Sequence, residues 1–82
     1  MTIEQIISDV NSIFVDVLES PDIAIKPETT ARDVEGWDSL THIQLVVAIE
    51  KQFKIRFTST EIRGFENVGA MCRSIQEKVS QT

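Results

Sequence analysis

Between Glu19 and Trp37 the sequence loses helical periodicity, although clear helical patterns flank it on both sides. Pro21, Pro27, the pair Thr29-Thr30 and Gly36 punctuate the stretch, with Ile23 and Ile25 as isolated apolar anchors. A connection this long exceeds the usual length of about 4–6 residues, so it either packs as an ordered Ω-like crossover or is mobile. It also frees the flanking helices from running as a tight antiparallel hairpin. Thr29 to Val34 has room for a short turn of helix.

The segment before this loop repeats Ile3, Ile6, Ile7, Val10, Phe14, Val17 and Leu18 at steps of three and four, which describes one helix face. Glu4, Asp9, Asn11, Asp16 and Glu19 fall mostly off it, and Ser20-Pro21-Asp22 ends the helix because proline cannot continue the hydrogen-bond ladder. After the loop, a second helix is expected from Asp38 to about Phe53, with the Asp38 carboxylate as N-cap. Leu45, Val46, Ile49 and Phe53 form its core face, whereas Leu40, Ile43 and Val47 form a second apolar stripe at i, i+3 and i+7. One surface helix does not need two apolar faces, so the second stripe is a candidate contact surface.

Ile55-Arg56-Phe57 alternates like an extended linker. Thr58 and Glu61 have capping-box spacing and open a short helix that Gly64 closes. Asn67 can cap a last helix with Val68, Met71, Cys72, Ile75 and Val79 on one face. The expected fold is therefore all-α, a four-helix bundle with a long first loop and a short third helix. The 82 residues are one small domain spanning 1–82.

Composition narrows the function. The single cysteine, Cys72, allows neither an internal disulfide nor a multi-cysteine zinc site. Thirteen acidic residues against eight basic ones, a net of −5, argue against non-specific binding to nucleic acid or an anionic membrane. Residues 1–38 hold nine acids and two bases, a net of −7, while residues 39–82 hold four acids and six bases, a net of +2. MTIEQIISDV lacks the pattern of a secretory signal, and no segment reaches the roughly 20 apolar residues of a membrane span, so the expected compartment is cytoplasmic.

The point where the charge changes sign is also where chemistry concentrates. Ser39 follows the N-cap, so its hydroxyl projects from the amino end of a helix, where free N–H groups and the macrodipole favour a phosphate. The plainer reading is that Asp38 and Ser39 are merely a cap pair. A serine nucleophile would need a base and an orienting acid; the only histidine, His42, lies three residues on along the same helix, on a poorly matched face.

Trp37-Asp38-Ser39-Leu40, followed by Leu45-Val46 and Ala48-Ile49-Glu50 in a short acidic helical domain, resembles the acyl carrier protein family. The resemblance covers Ile3 to Val79. It implies that Ser39 is the attachment point of 4′-phosphopantetheine, whose thiol holds an acyl group as a thioester. The protein would then be a carrier, not an enzyme, modified by a separate phosphopantetheinyl transferase using coenzyme A and Mg²⁺. It would be used by acyl-transferring or condensing enzymes, in fatty acid biosynthesis or a specialised lipid or polyketide-type pathway. Asp38 would cap the helix and help the transferase recognise the site. Leu40, Ile43 and Val47 would dock partners, flanked by Glu35, Gln44, Glu50 and Lys51, with the protein itself monomeric.

The chain departs from the commonest family pattern, Asp-Leu-Gly-x-Asp-Ser-Leu, by one extra residue in Asp33-Val34-Glu35-Gly36-Trp37-Asp38. Thr41 and Gln44 stand where acids are common, and Lys51-Gln52 follows Glu50, which points to a specialised carrier with dedicated partners. Peptidyl carriers share the helix layout but usually have Gly-Gly before the serine, which is absent here. An unmodified helical interaction module using the Leu40 stripe is a further alternative, and a small serine hydrolase a poorer one. Trp37 is expected to pack over His42 as a hydrophobic staple, and Cys72 to be a small buried hydrophobe.

Overall fold

The computed structural model describes residues 2–80, so the outermost positions of the expected domain lie outside the described residues. Four helices follow in order: α1 (Ile3–Leu18), α2 (Ser39–Phe53), α3 (Ser59–Arg63) and α4 (Val68–Ser80). No strand occurs among the described residues, and none of their helices is long and apolar enough to cross a membrane. The all-α architecture with a long first loop and a short third helix is as expected from the apolar spacing.

α1 packs against both α2 and α4. Ile6, Val10, Ile13 and Phe14 of α1 meet Leu45, Val46 and Ile49 of α2 and Val68, Met71, Cys72 and Ile75 of α4. Fully burying an aliphatic or aromatic side chain of this size contributes about 1.5–3 kcal/mol, so this cluster is the main cohesive term. Ile13 is a core residue that the face of steps three and four did not include, while Phe53, expected in the core, is only half-buried. Ile55 and Phe57 are buried on either side of exposed Arg56, as the linker alternation requires.

The caps explain where each helix starts. Thr2 and Gln5 form a reciprocal capping box on α1, and Thr58 and Glu61 form another on α3. α1 ends with Glu19 in the left-handed conformation, at φ 51°, just ahead of Ser20-Pro21. At α4 the Asn67 side-chain oxygen accepts the Ala70 N–H at 2.8 Å.

The long loop is the ordered crossover. Asn11 holds its near end: the side-chain amide donates to the Ile23 carbonyl at 3.2 Å and its oxygen accepts the Ile25 N–H at 2.8 Å. That double bond to the backbone seats Ile25 in the core. Further along, the Thr29 and Pro27 carbonyls accept the N–H groups of Val68 at 2.9 Å and Gly69 at 2.7 Å. These are first-turn amides of α4, which have no partner inside their own helix. The room for helix at Thr29 to Val34 is not used. A single turn closes there instead: the Thr30 carbonyl accepts the Asp33 N–H at 2.9 Å, and Asp33 Oδ2 accepts from both the N–H and the hydroxyl of Thr30.

The close approach of loop and helix explains Gly69. A Cβ at this position would stand 2.9 Å from the Pro27 carbonyl oxygen. Gly→Ala inside a helix normally gains up to about 1 kcal/mol. Here Gly69→Ala is expected to lose about 1–3 kcal/mol through the clash, read as a lower urea midpoint with an unchanged slope.

Candidate functional site

The site is built where the loop meets α2. Gly36 turns the chain at φ +91°, a conformation that a side chain would strain. Its carbonyl accepts the Thr41 hydroxyl at 2.7 Å. Asp38, in an extended conformation, then caps α2: its Oδ1 accepts the N–H groups of Leu40 and Thr41, each at 3.0 Å. Thr41 returns the bond, its hydroxyl oxygen accepting the Asp38 N–H at 2.8 Å. Threonine thus does the work that Glu or Gln does in the commoner capping box. The acid missing at position 41 is replaced by a residue with a definite structural task, which the sequence alone did not disclose.

Hydrogen bonding to its charged form, chiefly from the Thr41 N–H, holds the Asp38 carboxyl below its ordinary 3.8. Ser39, the first residue of α2, is exposed, and its hydroxyl makes no hydrogen bond to the described residues. The hydroxyl therefore stands free at a helix N-terminus, in the field that stabilises an anion.

Behind Ser39 lies a brace of which residue spacing reveals only a part. Trp37 is buried, edge-on to Phe14 with ring centroids 4.9 Å apart, and nearly parallel to His42 at 6.0 Å. The expected staple is present, with a hydrogen bond added: the Trp37 indole N–H donates to His42 Nδ1 at 3.1 Å. His42 Nε2 lies 3.1 Å from the Ile62 carbonyl oxygen. An indole N–H can only donate and a carbonyl can only accept, so this pairing uses His42 Nδ1 as an acceptor and Nε2 as a donor. The brace links the loop, α2 and α3, and it engages both imidazole nitrogens away from Ser39. Phe65 packs edge-on to His42, and Phe57 edge-on to Phe65. Together Trp37, His42, Ile43, Ile62 and Phe65 line an apolar cleft that reaches Ser39, with Arg63 on its rim.

The second apolar stripe is where spacing placed it. Leu40, Ile43 and Val47 are 69%, 50% and 42% exposed, and they start beside Ser39. Glu35 and Gln44 are exposed, whereas Glu50 is half-buried and its Oε2 accepts the Phe57 N–H at 2.9 Å. Glu50 therefore holds the linker after α2, a function its position on the helix did not reveal. Cys72 is fully buried, and burial pushes its thiol up to about 11.

Two measurements check this geometry. Asp38 titrates with a folded pKa below its unfolded value, so the cap's contribution is intact above the ordinary carboxylate range and is lost as pH falls through the folded pKa. A carboxyl-detected NMR titration is expected to show Asp38 shifting late in acid, together with the amides of Leu40 and Thr41. Trp37→Phe keeps a ring but leaves His42 Nδ1 without its donor, an expected loss of about 1–3 kcal/mol in chemical denaturation.

Comparison with known proteins agrees with this geometry. The family described as "Phosphopantetheine attachment site" matches residues 8–75. An acyl carrier protein of Acidothermus cellulolyticus is 30% identical over 66 residues, which are 80% of this chain and 79% of that protein. The solution NMR structure of holo acyl carrier protein from Geobacter metallireducens superposes with a TM-score of 0.86 at 32% identity, covering 92% of this chain and 86% of that one. The exposed serine at a helix start, beside an apolar cleft, has the shape and chemistry to carry a phosphopantetheine arm. The chain belongs to the acyl carrier protein family, whose cofactor is covalently attached phosphopantetheine.

Proposed function

We propose that Ser39 carries the 4′-phosphopantetheine arm and that the protein presents acyl thioesters on it to separate biosynthetic enzymes. The observation that carries this reading is the free Ser39 hydroxyl, exposed at the N-terminus of α2 between the apolar cleft and the Leu40–Ile43–Val47 stripe. The arm supplies a thiol for thioester chemistry. The chain's own part is to position the hydroxyl, stabilise the phosphodiester at the helix start and offer a docking face.

Carriers of this family are handled by enzymes and are not themselves catalysts, and the engagement of His42 by Trp37 and Ile62 fits that role. In the loading step Ser39 Oγ attacks the β-phosphorus of coenzyme A. The new O–P bond replaces the diphosphate linkage, 3′,5′-ADP leaves, and the transferase takes the serine proton, with Mg²⁺ supplied alongside. Asp38 helps the transferase by fixing the first turn in which Ser39 sits, and its exposed carboxylate is open to recognition. Leu40, Ile43 and Val47 meet acyl-transferring or condensing enzymes, with Glu35, Gln44 and Glu50 at the edges.

The residue pattern along α2 favours a specialised carrier over one of general fatty acid synthesis: Thr41 and Gln44 replace acids, and Lys51 follows Glu50. Positions 1–82 act as one monomeric cytoplasmic carrier unit in this reading.

Incubation with coenzyme A, Mg²⁺ and a promiscuous phosphopantetheinyl transferase is expected to add one arm, seen by intact mass, and none to Ser39→Ala. An unmodified wild-type chain with several such transferases, or a modified Ser39→Ala, would falsify the assignment.

A further inference from the structure

The exposed stripe of α2 does not stop at Val47. At 100° per residue, Leu40, Ile43, Gln44, Val47 and Lys51 share one outward face, and Lys54 continues the line at the helix end. Lys51, Lys54 and Arg56 are all exposed and form no ion pair among the described residues. They line one groove with Val47, Ile55 and Glu50. Glu50 is the groove's sole acid, and its Oε2 is committed to the Phe57 N–H. The outward face of α2 thus grades from apolar, next to Ser39, to cationic at its far end.

We propose that this face docks partner enzymes whose carrier-binding surface is acidic: an apolar patch that receives Leu40, Ile43 and Val47, and carboxylates that meet Lys51, Lys54 and Arg56. Charge complementarity selects the occupant, because a basic surface laid on this end of α2 would face three exposed cations. With a helical rise of 1.5 Å per residue, Lys51 lies about 18 Å along α2 from Ser39. The partner's carboxylates would then sit at about that distance from the opening that receives the arm. A cation near a helix C-terminus also complements the macrodipole, which is reason enough for a single lysine there. It does not account for Arg56, which lies beyond the helix in the linker. The inference rests on Ser39 being the loading site.

The test uses two phosphopantetheinyl transferases, one with an acidic and one with a basic docking rim, acting on the full chain and on Lys51→Glu/Lys54→Glu/Arg56→Glu. Loading is followed by intact mass. The wild-type chain is expected to be loaded by the acidic-rim enzyme with a kcat/KM at least about fivefold higher than by the other. That advantage is expected to shrink between about 20 and about 300 mM NaCl, and to reverse in the triple variant. Lys51→Gln/Lys54→Gly/Arg56→Gln, which removes charge and relaxes the cap, is expected to fall between them, with far-ultraviolet circular dichroism reporting retained helix. Loading at equal, salt-independent rates in all three chains overturns the docking proposal while leaving Ser39 as the loading site. No loading by either enzyme overturns both readings. Co-sedimentation of the wild-type chain, but not the variant, with vesicles containing phosphatidylserine would assign the cations to lipid and overturn it as well.

Discussion

The architecture depends on how the first turn of α4 finds partners for its amides. A helix of this size has free N–H groups at its start, and burying them unpaired costs about 1–3 kcal/mol each. Here the Pro27 and Thr29 carbonyls supply the partners, so the long loop is held against α4 by bonds that α4 requires. Asn11 fixes the loop's near end from α1. With both points set, the remaining chain has little freedom, and Val34 to Asp38 arrives at α2 in one geometry. The position of Ser39 is therefore a consequence of satisfied backbone polarity some distance away.

Trp37 transmits that geometry to the site. Its ring is packed on Phe14 inside the bundle, while its N–H reaches His42 and, through it, the backbone of α3. A helix as short as α3, with no fully buried residue, has little independent stability. The salt bridge of Lys78 with Glu61, at 3.0 Å, ties it to α4 from the other side. The apolar cleft beside Ser39 keeps its shape because both of its walls are attached to the core.

Much of this was legible in the sequence, where repeating chemistry meets a regular period. The four helices, the Asp38 cap, the two faces of α2 and the burial of Cys72 all follow from spacing and residue type. What was not legible depends on contacts between distant residues. Asn11 looks like a solvated helix position, yet its amide serves residues of the loop. Gly69 has no signal as a close-approach site until Pro27 is beside it. Glu50 resembles any exposed helix acid, and only the returning linker gives it the Phe57 N–H to hold. Thr29 to Val34 closes one Thr30–Asp33 turn and does not continue into a helix.

The burial of Cys72 has a chemical consequence for the proposed role in carrying thioesters. Acyl groups pass readily between thiolates, and a reactive cysteine on the carrier's own surface would compete with the arm for its cargo. The chain has one cysteine, which has no exposed surface and a thiol pushed up to about 11, so almost none of it is thiolate near neutral pH. An acyl group on the arm therefore meets no rival sulfur nucleophile on the folded protein. Packing a thiol into the core protects the cargo from being stranded where no partner enzyme could retrieve it.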